Sequence, residues 1–390
     1  MWEKFFNFNN RFFKLLFYFF ITLTLYFALT SSNLILGDNN ITKIGTTIFT
    51  TKVLLIMMAL GLAIYASENV KNFLAYIFID KRWLTSSITL GLAVVIQIIF
   101  VSLINSGIGF DVSGVHQGLT MPKNVNIIGY FSVNPNNLGL LMMQHIFTDL
   151  FHTTTWKFLQ FVTMFLVDLS AFFNLCSIAI LDKSKLPLGM YIHTLWLISF
   201  PVIIVPYTDT WVIPFVSIYI FCYCVIAHSK ANSWLKVISA IFWGISLSAA
   251  YFIKPSAIIP AIAIVIIELL NVLVQRKRNW WWSILISLLL IGSTGASYYT
   301  MNHAIKNQTY VRVYYFRAKP MIHFINMGLS GDGGYNAKDS FKMVTLIHKK
   351  DRINYSVNSI HKRLHKMGVG GYLAFLIRKH NNNSSDGTFA

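Results

Sequence analysis

Residues 156–181 read WKFLQFVTMFLVDLSAFFNLCSIAIL, and only Lys157 and Asp168 in them carry charge. Wound as a helix at 1.5 Å per residue, such a run is about 39 Å long, enough to cross the ~30 Å hydrocarbon core of a bilayer. One run of this kind could equally be the core helix of a large soluble domain. Eight more accompany it, at 12–36, 48–66, 84–104, 188–205, 211–227, 235–253, 256–274 and 280–300. The expected architecture is therefore all-α: a polytopic transmembrane helix bundle of about nine spans.

Composition agrees. Of 390 residues, 55% are hydrophobic and 12% charged, with a mean hydropathy of +0.57. Soluble domains carry about 25% charged residues, so lipid is the solvent for most of this chain. The first apolar run follows Lys4, Arg11 and Lys14 and is too long for a cleaved leader, which makes it a signal anchor. Cys176, Cys222 and Cys224 lie inside apolar runs without CxxC spacing, as packing residues and not as a disulfide framework or a zinc site.

The formal charge of +18 is not a nucleic-acid signature, because the basic residues cluster in loops between spans and in the tail. Their distribution orients the chain. Lys4, Arg11 and Lys14 place the N-terminus in the cytoplasm. The loops 67–83, 182–187, 228–234 and 275–279, each holding Lys or Arg, fall on the same side. The loops 37–47, 105–155 and 206–210, and the junction at 254–255, fall outside. The chain then divides into a bundle over 1–300, with a large outer loop at 105–155, and a basic extracytoplasmic segment over 301–390. That segment holds fourteen Lys and Arg against four Asp. Long segments translocate largely regardless of charge, so its basicity does not overturn the orientation. It is either a solvated surface or a contact for anionic lipid or polymer.

Acidic residues are scarce, and those on the outer side deserve individual readings. Asp111, in Gly109-Phe110-Asp111-Val112-Ser113, could act as a general base at the membrane boundary or simply cap the segment that follows. Pro135-Asn136-Asn137 reads as a turn and N-cap starting a short helix, though the amides could also bind sugar hydroxyls. Asp209, in Tyr207-Thr208-Asp209-Thr210, is held by a short connector near the mouth of the bundle, as a functional carboxylate or as a helix cap. Lys254, before Pro255, could pair with Asp209 or Asp111, bind a phosphate, or snorkel to the interface. Gly331-Asp332-Gly333-Gly334 in the tail could bring backbone amides close to a phosphate or sugar, or form a sharp turn. Inside the spans, Asp168 and Glu268 receive no role. His116, His145, His152 and His193 lack metal-ligand spacing and read as packing residues. P-loop, GxGxxG and HExxH motifs are absent from the sequence. Asp111 with a second outer acid could hold one divalent metal ion.

Taken in order, Asp111, Tyr130-Phe131 with Pro135-Asn136-Asn137, Tyr207-Thr208-Asp209, Lys254-Pro255 and Gly331-Asp332-Gly333-Gly334 resemble Gram-positive integral membrane glycosyltransferases of the GT-C class. These are related to the dolichyl-phosphate-mannose protein mannosyltransferases and the lipid A aminoarabinose transferases. The resemblance covers about 105 to the end. It implies a multi-pass protein of the bacterial plasma membrane that moves sugar from a polyprenyl-phosphate donor to a glycan or protein acceptor on the outer face. It further implies Asp111 as catalytic base, Lys254 and basic tail residues at the departing phosphate, and Asn136, Asn137 and Asp209 orienting sugar or acceptor; Asp332 joins these as a substrate-binding candidate. Two features depart from the family. Val112 follows Asp111 where relatives often carry a second acid, and the chain stops at Ala390 where relatives tend to continue with further spans, so a C-terminally truncated, inactive form is one expectation. Two other classes stay open: a flippase or transporter of lipid-linked glycan, and a non-catalytic scaffold of a polysaccharide assembly complex.

Overall fold

The computed structural model describes residues 2–30, 47–104, 106–274 and 280–384. Every regular element among them is helical. In chain order the α-helices are α1 (Trp2–Thr30), α2 (Thr47–Ala66), α3 (Glu68–Ala75), α4 (Arg82–Leu103), α5 (Phe110–Thr120), α6 (Val125–Val133) and α7 (Leu138–Leu150). Then come α8 (Trp156–Leu181), α9 (Leu186–Ser199), α10 (Thr208–Trp211), α11 (Ile213–His228), α12 (Ser233–Ile253), α13 (Ile259–Val274) and α14 (Trp280–Asn307). The chain closes with α15 (Met321–Met327), α16 (Ala337–Thr345) and α17 (Lys349–Ser384).

Seven stretches among the described residues are long and apolar enough to cross a membrane: Phe8–Ala28, Arg82–Leu103, Trp156–Leu181, Thr208–His228, Ser233–Ile253, Pro255–Val272 and Trp280–Asn307. Two of the nine expected runs are not among these seven. The run at 48–66 is α2, whose apolar helix counts only over Leu55–Ala66 among the described residues. The run at 188–205 breaks. Its helix α9 has 14 residues, about 21 Å, and stops at Phe200, whose ψ of 82° leaves the helical region before Pro201. A 3₁₀ turn, Pro201–Ile204, follows. The expected loops at 37–47 and 275–279 lie almost wholly or wholly outside the described residues.

The chain forms two compact units, Leu74–Tyr314 and Met1–Phe73 with Tyr315–Ala390. In the first, α8 is the central helix. Its Leu159, Val162 and Leu166 join one buried cluster with Trp211, Tyr219 and Trp243. Its Met164, Val167 and Ala171 join another with Ala93 and Val101 of α4 and Leu197 of α9. Each set is spaced i, i+3, i+7, so two faces of one helix serve two packing partners. Close approach between α12 and α14 depends on Gly244, where an added Cβ would lie 2.5 Å from the backbone nitrogen of Thr294. Small residues let membrane helices approach in this way.

The expected loop 105–155 is mostly helical. Val115, Leu119, Ile127, Phe131, Leu138, Leu140 and Leu141 bury the inner faces of α5, α6 and α7 in the α8 and α11 cluster. Backbone groups are tied down as well: Lys157 donates to the carbonyls of Val101, Ser102 and Ile104 at 3.0, 2.6 and 2.7 Å, closing the end of α4. These contacts make α5–α7 a fixed layer on one end of the bundle.

In the second unit, α15 and α16 pack near α17, which bends at Gly368 (φ 59°). Arg352, buried, donates to the carbonyls of Phe316, Arg317 and Ala318 and so pins the start of this segment to α17. Arg363 donates to the Asn326 side-chain oxygen at 2.7 Å and pairs with buried Asp339 at 2.9 Å. Helix α1 packs on the end of α17, with the Thr24 hydroxyl 3.0 Å from His380 Nε2.

Candidate functional site

Four distant stretches of the Leu74–Tyr314 unit meet at the α5–α7 layer, and each is positioned by its own local chemistry. Asp111 lies in the first turn of α5 and is exposed. The residue before it, Phe110, is fully exposed and left-handed at φ 55°, a conformation that is costly for an aromatic side chain. The Asp111 carboxylate accepts a hydrogen bond from the Tyr207 hydroxyl at 3.3 Å, and its backbone carbonyl accepts one from Tyr130 at 3.4 Å. Gly114, one helical turn further, leaves room for the Tyr130 ring, since a Cβ would meet it at 2.9 Å.

Asn136 and Asn137 form a 3₁₀ turn before α7. The turn is as expected, but the Asn137 side chain does not cap the helix. It is buried, and its Nδ2 donates to the Tyr130 hydroxyl at 2.6 Å while its Oδ1 accepts from Asn136 at 3.1 Å. Asn137 is already α-helical in φ and ψ, which turns its amide away from the orphan N–H groups that a cap would serve. The cap role belongs instead to Asn124, at the start of α6.

In the third stretch, the Thr210 hydroxyl donates to Val205 O at 2.5 Å and accepts from Tyr207 N–H at 3.4 Å, closing the turn. Gln144 of α7 holds the same turn through Pro206 O at 2.8 Å. With Thr210 closing the turn, the half-exposed Asp209 carboxylate is not used as a cap, and it accepts a hydrogen bond from the Thr208 hydroxyl at 3.4 Å. The fourth stretch supplies its partner. Lys254 ends α12 in an extended conformation, as the following Pro255 requires, and its ammonium makes a close ion pair with Asp209. The pair is half-exposed. Behind it, Gly139 at the start of α7 rests on the backbone of Phe252.

Electrostatics bind these parts into one site. Burial pushes the Tyr207 phenol well above its ordinary value, and the charge of Asp111 adds to this, followed by that of Asp209. Burial and then Asp111 do the same to Tyr130. Both phenols therefore stay protonated as donors at neutral pH.

The structure thus brings together Asp111, Asn136, Asn137, Asp209 and Lys254, with Tyr130 and Tyr207 as links. Asp332 belongs to the other unit, where its carboxylate is 4.0 Å from Arg378. Its glycines make a turn, with Gly331 at φ 56° and Gly333 at φ 88°. His116 stacks on Trp156 at 4.0 Å and His145 on Tyr310 at 3.8 Å. No three His, Cys, Asp or Glu side chains among the described residues are grouped as metal ligands. Asp209 is engaged by an ammonium and Asp111 by a phenol.

The sequence singles out most of these residues but misses what joins them. Gln144 and Gly139 carry no signal beyond a polar residue and a glycine in an apolar helix. The strain at Phe110 carries none at all.

A model of conserved hypothetical integral membrane proteins matches residues 5–390. The chain belongs to this family. Membership establishes an integral membrane protein, consistent with its multiple apolar helices. No curated protein and no solved structure matches the chain.

Proposed function

We propose that the protein is a GT-C-like membrane glycosyltransferase that moves a sugar from a polyprenyl-phosphate donor to a glycan or protein acceptor on the outer face of a bacterial plasma membrane. What supports this is the convergence of Asp111, Tyr207, Asp209, Lys254 and Asn137 from four separate stretches. In the proposed reaction the acceptor hydroxyl oxygen attacks the anomeric carbon and its proton passes to the Asp111 carboxylate. The bond from that carbon to the lipid-phosphate oxygen breaks, and the phosphate leaves as an anion. Lys254 stabilises this developing charge when its contact with Asp209 loosens. Tyr207 holds the base in place, and Asn136, exposed, offers an amide to sugar hydroxyls. The orientation, with the N-terminus cytoplasmic, follows from Lys4, Arg11 and Lys14.

The test is transfer of labelled sugar from polyprenyl-phosphate donors in membranes carrying wild type or Asp111→Asn. A general base contributes about 10²–10⁴-fold, so the substitution should lower transfer by at least a hundredfold at equal expression. Equal transfer in both would remove Asp111 from the chemistry. Activity of the isolated chain would also dispose of the scaffold reading.

Transport is the second reading, and one observation favours it. Asp168 of α8 lies within the bundle beside the buried Gln97 of α4. Ionisable groups at such depth line transport paths in many membrane proteins. Glu268 accepts from Tyr223 at 2.8 Å. Donor flipping by the purified protein without sugar transfer would favour this reading.

A further inference from the structure

Helix α16 is two-sided in an unusual sense. Asp339, Ser340 and Met343 are buried, as the inner face of a helix should be. The outward side, however, carries Phe341 and Val344 at 71% and 52% exposure, and Ile347 just beyond the helix at 78%. Large apolar side chains at i and i+3, pointing away from the packed side, gain nothing in water. Lys338 and Lys342 of the same helix are exposed, and so are Lys349 and Lys350, which open α17 with the acidic Asp351 beside them. The acid within the helix, Asp339, points inward and is paired with Arg363. The outward side therefore combines apolar residues with positive charge, the combination by which a helix lies in the headgroup region of an anionic leaflet.

The unit containing α16 has its own connection to the bilayer. Helix α1, with the span Phe8–Ala28, packs on the end of α17. His380 meets Thr24 at 3.0 Å, and its ring lies 6.0 and 5.8 Å from those of Phe20 and Phe27. A membrane helix is thus part of the same packed body as the basic helices. Neighbouring α15 repeats the pattern, with His323 and Asn326 buried and Met321, Phe324 and Ile325 exposed.

We propose that the outward face of α16 and its junction with α17, with Phe341, Val344 and Ile347 beside Lys338, Lys342, Lys349 and Lys350, is a docking surface for anionic lipid headgroups. The apolar side chains enter the acyl boundary and the four ammonium groups meet lipid phosphates. The inference is independent of any glycosyl transfer and holds whatever reaction the other unit performs.

The experiment uses the full chain in nanodiscs, with an environment-sensitive fluorophore on Val344→Cys and, as a control, on Asn358→Cys, an exposed position of α17. In discs containing phosphatidylglycerol, the label at 344 should be shielded from iodide at least threefold relative to 358 and quenched by brominated acyl chains. Replacing the four lysines by Gln should abolish this contrast while leaving the melting temperature unchanged. The proposal is overturned if the label at 344 stays as open to iodide as the control. It is equally overturned if shielding is the same in purely zwitterionic discs, or survives loss of the lysines.

Discussion

Gly139→Ala should separate the α7 turn from the end of α12. The new Cβ would lie 2.8 Å from the carbonyl carbon of Phe252 and closer still to its oxygen, against ordinary contacts of 3.4 Å or more. Because the obstacle is backbone, no side chain can swing aside, and α7 has to withdraw by about 1 Å. Overpacking of this kind costs about 1–3 kcal/mol, and a backbone obstacle puts the cost near the upper end. For a unit of this size that lowers the melting temperature by about 5–10 °C. Withdrawal also strains the 2.6 Å bond from Asn137 to Tyr130, two residues away. The assay is thermal unfolding by tryptophan fluorescence in detergent, with Gly129→Ala as control, because a Cβ at that helical position meets nothing within 4 Å. The control should be neutral or slightly stabilising. A Gly139→Ala protein that melts within 1 °C of wild type would refute the close-approach argument.

The Asp209 and Lys254 pair is half-exposed, so a double-mutant cycle with Asp209→Asn and Lys254→Met should give a coupling of about 0.5–1 kcal/mol in thermal stability, weaker at high salt. A coupling near zero would mean the two groups are not held together. A third expectation concerns pH. His323 is fully buried with neither ring nitrogen hydrogen-bonded, and burial, helped by the charge of Lys319, lowers its pKa from 6.5 to about 4. The unfolded chain takes up this proton first, so the stability is fully present above about pH 6.5 and is lost as pH falls towards 4. The total loss is up to about 3 kcal/mol. Hydrogen exchange in α15–α17 should rise over that range, and His323→Leu should remove the dependence.

What the sequence reveals divides along physical lines. Apolar runs announce spans because transfer to lipid depends on composition, and 156–181 is the clearest example. The break after Ser199 is invisible to hydropathy, since Phe200 and Pro201 are apolar and only their backbone geometry ends the helix. Asp111, Asp209 and Lys254 are legible as rare charges between spans. Their joining through Tyr207 is not, because a tyrosine beside apolar segments is ordinarily an interfacial residue. Asn137 is misread for a similar reason: capping is its commonest local use, whereas its actual partner, Tyr130, lies across a turn.

The two faces of α8 bear on how the protein is made. Synthesis delivers the 156–181 helix after α4 but before α9, α11 and α12, so during insertion one of its faces finds its partner while the other still meets lipid. That second face includes the Thr163 hydroxyl, which accepts from the Trp211 indole at 2.9 Å. The same hydroxyl donates to Leu159 O of its own helix at 2.7 Å, so it is satisfied before residue 211 enters the bilayer, and the group that needs this contact is the Trp211 indole N–H. A polar group on one helix of this bundle is thus provided for by a segment made 48 residues earlier.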